Sequence, residues 1–138
     1  MRRKLIEQVV YSGAFIKTIS AGATSAHAST SIDREGFLSA YVVGQALGGT
    51  GADTQTFDFY VYDSSDNSTF AIHDSANATK DLAPTLTTAN VTGFAVDLAG
   101  AKRYIRLYAQ VTGATTITAT VSMACILGDA VIEPASTT

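Results

Sequence analysis

Residues 104–127 constrain the fold more than any other stretch. Tyr104, Arg106, Tyr108 and Gln110 alternate with Ile105, Leu107, Ala109 and Val111. After a short break, Ile117, Ala119, Val121, Met123, Cys125 and Leu127 alternate with Thr116, Thr118, Thr120, Ser122 and Ala124. A period of two sends successive side chains to opposite faces of a strand. Each segment is therefore expected to be a strand with one wet face and one dry face. Residues 111–115 lie between them and contain Gly113, which predicts a hairpin loop. Such a hairpin cannot bury its apolar face alone, so the rest of the chain must supply an opposing layer.

Candidate strands for that layer follow in order. Residues 15–19 (FIKTI) form a short one, and residues 20–31, small and polar without a hydrophobic period, read as a loop. Over residues 37–45, Phe37, Ser39, Tyr41 and Val43 share one face and Leu38, Ala40 and Val42 the other. Apolar groups on both faces indicate a central strand, or one covered by a partner. In residues 54–63, Phe57, Phe59 and Val61 alternate with Asp58, Tyr60 and Tyr62; residues 70–72 and 93–100 add two more strands, the second with Phe94, Val96 and Leu98 on one face. Residues 74–90 contain Pro84 and read as an irregular link. No helical period is present. The expected fold is all-β: a β-sandwich or jelly roll of about seven to eight antiparallel strands. The expected organisation is an N-terminal arm over 1–13, a sandwich domain over 14–130 and a C-terminal tail over 131–138, one domain in 138 residues.

Chemistry is sparse. Charged residues make up 15% of the chain and the net charge is −3, which argues against general nucleic-acid binding. No apolar run approaches the roughly 18 residues of a membrane span. The start of the chain is basic and then apolar, but Glu7 and Gln8 interrupt it, so no export signal is evident and cytoplasmic synthesis is expected. Cys125 has no possible disulfide partner in the chain and reads as a small core residue. His27 and His73 sit in or near loops, with neither a nucleophile motif nor metal-ligand spacing around them. Asp63, Asp66 and Asn67 miss the calcium-loop spacing, and residues 48–53 (GGTGAD) lack the lysine of a phosphate loop. No catalytic residue, metal site or cofactor is expected. The candidate contact residues are the basic Arg2, Arg3 and Lys4 of the arm and the Tyr104, Arg106, Tyr108 stripe, because Arg and Tyr are enriched in interfaces.

Three segments in order, IDREGFLSAYVVGQAL, FDFYVYDSSDNSTF and AGAKRYIRLYAQVTGATTITATVSMACILGDA, make the chain resemble the head decoration, or cement, proteins of tailed bacteriophages over residues 32–130. The resemblance implies a β-sandwich that assembles as a homotrimer on the capsid surface and clamps neighbouring major capsid subunits. It implies a virion location, no nucleic-acid or membrane partner, and no catalytic residues. The alternative is a receptor- or glycan-binding module of a head fibre or tail component, with Tyr60 and Tyr62 as candidate contacts.

Overall fold

Alternation of apolar residues becomes two stacked antiparallel sheets in a computed structural model, which describes residues 10–21, 24–48, 56–73, 80–82, 89–112 and 117–130. The strands are β1 (Val10–Ala21), β2 (Thr24–Ala28), β3 (Ile32–Asp33), β4 (Phe37–Gly48), β5 (Thr56–Ser64), β6 (Ala71–Ile72), β7 (Lys80–Leu82), β8 (Ala89–Asp97), β9 (Tyr104–Thr112) and β10 (Ile117–Ala130). Sheet I has the order β1-β10-β4-β8. Sheet II has the order β2-β9-β5-β6, with β3 also on β9 and β7 also on β5.

β2 and β3 run in succession along one edge of β9, from Thr24 opposite Thr112 to Asp33 opposite Tyr104. β6 and β7 do the same along the far edge of β5. Treated as two interrupted strands, they leave four strand positions in each sheet, connected as in a jelly roll. Ser29 bridges the first interruption. Its backbone N–H donates to the Leu107 carbonyl at 2.9 Å, and its hydroxyl oxygen accepts from Leu107 N–H at 3.1 Å.

The all-β sandwich expected from the alternation is the fold observed, and the dry faces were assigned correctly. Ile105, Leu107 and Ala109 of β9 and Phe57, Phe59 and Val61 of β5 are buried, as are Val121, Met123, Cys125 and Leu127 of β10. Ala40, Val42 and Ala46 of β4, Phe94 and Val96 of β8, and Ile32, Leu98 and Ala101 complete the core among the described residues. At its centre the Phe59 ring lies against Gly44, where an added Cβ would come within 2.8 Å of the ring. Glycine at this point of β4 lets the two sheets approach across a large aromatic side chain.

The expected hairpin is not formed. β9 lies between β2/β3 and β5 in sheet II, whereas β10 lies between β1 and β4 in sheet I. Both strands have a dry face because both occupy central positions on opposite sides of one core. Periodicity reports that a face is buried, not whether the next strand lies beside it or across from it. The expected loop over 20–31 also contains β2, an edge strand of small residues and His27 whose pairing with β9 is tertiary and leaves no hydrophobic period. β1 begins at Val10, inside the span expected as an arm. Residues 1–9 and 131–138 lie outside the described residues, as does most of the expected 74–90 link.

Candidate functional site

The outer face of sheet II holds the Tyr104, Arg106 and Tyr108 stripe, all half-buried. Register sets its neighbours: Tyr60 is opposite Tyr108 and Tyr62 is opposite Arg106. The rings of Tyr62 and Tyr108 stack at 4.4 Å between centroids, and Tyr60 meets Tyr62 edge-on at 6.3 Å. The Arg106 guanidinium lies over the Phe70 ring at 4.1 Å, and its Nε is enclosed with no acceptor among the described residues. Burial, with a smaller contribution from Tyr108, raises the Tyr62 phenol above its ordinary pKa. Tyr62 and Tyr108 cover each other's faces, and Tyr60 closes the group edge-on. The result is a compact aromatic cluster, not a row of parallel open rings on which a sugar could lie. Arg2, Arg3 and Lys4 lie outside the described residues.

The acidic and basic motifs converge on one end of the sandwich. Buried Asp63 accepts from Lys102 N–H at 3.2 Å and pairs with Lys102 Nζ at 3.3 Å. His73 Nδ1 lies 3.2 Å from Asp63 Oδ2, and its Nε2 lies 2.7 Å from the Asp97 carbonyl. His73 therefore ties β5 of sheet II to the end of β8 in sheet I. Arg34 donates to the carbonyls of Phe37, Ala101 and Lys102. Arg103 holds Asp33 at 2.8 Å and Glu35 at 2.8 Å, and its hydrogen bond is the main reason the Asp33 carboxyl lies below its ordinary pKa. Asp66 accepts from Ser64 Oγ at 2.7 Å and from the backbone N–H groups of Ser68 and Thr69 at 2.9 Å each. Donation from these three groups holds its carboxyl well below the ordinary range. This is a turn built by Asp and Ser, with Asp66 Oδ1 accepting all three bonds. No group of three or more His, Cys, Asp or Glu able to hold a metal occurs among the described residues. The carboxylates and His73 serve as structural ties between loops.

The outer face of sheet I differs in kind. Tyr41 is 50% exposed and Val91 61% exposed, and Leu47 and Ile126 are exposed beside them. Register places Ile126 and Ala95 on either side of Tyr41, and Ser122 and Val91 on either side of Gln45. The Tyr41 ring extends across Gly93, where any Cβ would collide with its hydroxyl. Among the described side chains, charge appears only at the rim, at Asp97 and Asp129. This face was not among the candidate contact residues. Its signal in the sequence was the apolar character of both faces of residues 37–45. β4 is indeed central in its sheet, yet its outer face lacks a covering layer among the described residues.

No protein-family model and no curated protein matches the chain. Solved structures do: 311 chains match, so the fold by itself does not select a function. The PBSX exported protein XepA superposes with a TM-score of 0.56 at 22% identity, over 91% of this chain and 40% of that one. The enzymatically active domain of bacteriophage CBA120 tailspike protein 4 gives 0.54 at 10% identity, over 88% of this chain and 20% of that one. The xylan-binding module CBM15 gives 0.52 at 12% identity, over 88% and 97% of the two chains. The chain thus spans 40% of XepA and 20% of the tailspike domain. At these identities the likeness is one of fold.

Proposed function

We propose that the chain is a non-catalytic virion protein, a decoration or cement protein that binds the outer surface of a tailed-phage head as a trimer and holds neighbouring major capsid subunits together. One observation carries this reading. The described polar groups that could do chemistry are engaged in ties within the fold, while the outer face of sheet I exposes Tyr41, Leu47, Val91 and Ile126 among uncharged neighbours. A surface of that kind serves contact. The resemblance of residues 32–130 to decoration proteins supports it, and so does a fold shared with a phage tailspike domain. Trimerisation would multiply a modest contact at each capsid site through avidity. In this reading the partners are the major capsid protein and further copies of the chain, with no nucleic acid, membrane or cofactor. The protein is made in the host cytoplasm and ends on the virion.

A receptor- or glycan-binding module of a head fibre or tail is the second reading. It draws on the Tyr60, Tyr62 and Tyr108 cluster and on the fold shared with a xylan-binding module. The stacking of Tyr62 on Tyr108 weakens it, because it covers a ring face that a sugar would need. Mixing the purified chain with heads lacking it, followed by sedimentation and imaging, separates the two. Density on the outside of the head supports decoration. Free chain in the supernatant, with glycan-array binding abolished by Tyr62→Ala, supports the second reading.

A further inference from the structure

We propose that the outer face of sheet I, with β8 at its margin, is the surface on which a second copy of this chain docks. The inference rests on reading the chain as an assembly protein and names the surface that performs the assembly. Exposed strand edges expose a row of unpaired N–H and C=O groups and are normally blunted by breaks, bulges or charge. In sheet II both edges are interrupted, by the β2/β3 and β6/β7 breaks. In sheet I, β1 is bulged between Tyr11 and Ala14 and carries Lys17. β8 has none of these protections: nine residues run from Ala89 to Asp97 with neither charge nor proline before Asp97, and no described strand pairs with its outer side.

The chemistry of the face selects the occupant. Tyr41, Leu47, Val91 and Ile126 offer apolar area. The polar groups among them are neutral, such as Ser122 Oγ 3.5 Å from Gln45 Oε1. A charged partner would find no counter-charge here and would lose hydration on docking. The matching surface is another uncharged sheet face with an unprotected edge, and this chain carries one. Its opposite face, with Arg106 and the flanking Arg103, is not such a surface. Four strands about 4.8 Å apart and about 30 Å long present roughly 600 Å² in projection, close to the ~800 Å² per partner of a standard stable interface once the rim is included. Asp97 and Asp129 at the rim keep like charges away from the centre of the contact.

The test is the mass of the full-length chain in solution at about 100 μM, by light scattering after size exclusion. The expected wild-type mass is two or three times the 14.4 kDa of one chain. Val91→Lys and, independently, Ala95→Lys bring it to that of one chain, while Ser65→Lys in an exposed loop leaves it unchanged. Retention of the far-ultraviolet β signature and of a cooperative melt shows that the variants are folded. A monomeric wild type, or folded Val91→Lys and Ala95→Lys proteins with wild-type mass, overturns the inference. Sedimentation with heads reads the decoration proposal separately. A monomeric wild type that still decorates heads defeats this interface alone. An oligomer that Val91→Lys dissociates but that never binds heads defeats decoration alone.

Discussion

Asp63 is tied to two other segments. Its carboxylate is buried and meets Lys102 N–H, Lys102 Nζ and the His73 ring. Removing it leaves the largely buried His73 ring and the Lys102 N–H without their acceptor, while the half-exposed Lys102 ammonium keeps its water. Asp63→Ala is expected to cost about 1–3 kcal/mol, read as a lower urea midpoint at unchanged slope. Asp66 gives a pH-dependent counterpart. Its folded-state pKa is depressed by hydrogen bonds that the unfolded chain lacks. Its stabilising contribution is therefore complete above about pH 5 and declines as pH falls through the unfolded value of about 3.9. The melting-temperature gap between wild type and Asp66→Ala should stay constant from pH 8 to 5 and narrow below pH 4. The same residues show what was legible. The segments IDREG, DSSDNS and AKR stood out in the sequence, and the structure brings them together in the corner where Arg34, Asp33 and Asp63 meet residues 101–103. Sequence separations of up to 70 residues hide such pairings, because nothing local in either segment names its partner.

Between elements, the contact of β4 with β5 across the core is set by one small residue and one large one. Gly44→Ala places a methyl within 2.8 Å of the Phe59 ring and is expected to destabilise by about 1–3 kcal/mol. Phe59→Ala leaves a cavity and costs about 3–5 kcal/mol. The double variant should cost less than the sum, since the new methyl fills part of the space the ring vacates. Chemical denaturation of the four proteins measures the coupling; strict additivity would mean that the two residues do not share the site. Strand positions and dry faces were readable here because period two is local. Sheet membership was not, which is why β9 and β10, neighbours in sequence, were expected to pair and instead occupy opposite sheets. The contact stripe on β9 was visible as alternating Tyr and Arg. The broader apolar face of sheet I was harder to see, because an exposed Val91 and a buried Val96 look alike in sequence.

For the whole molecule, Cys125 reports on integrity. It is fully buried, and burial pushes its thiol pKa up to about 11. At pH 8 a thiol reagent should modify it only as fast as the sandwich opens, whereas a Ser65→Cys, Cys125→Ala control reacts at once. Rapid labelling of native Cys125 would show that the core is open. The proposed contact role draws on a sandwich whose described polar groups are tied within the fold and whose sheet I exposes Tyr41, Leu47, Val91 and Ile126. The proposed cementing role is tested most directly by the temperature at which tailed-phage heads release their DNA, assembled with the chain, assembled without it, and with purified chain added back. The proposed cementing role predicts a lower release temperature for heads lacking the chain and its recovery on addition. An identical release temperature in all three preparations, with the chain demonstrably bound, would contradict it.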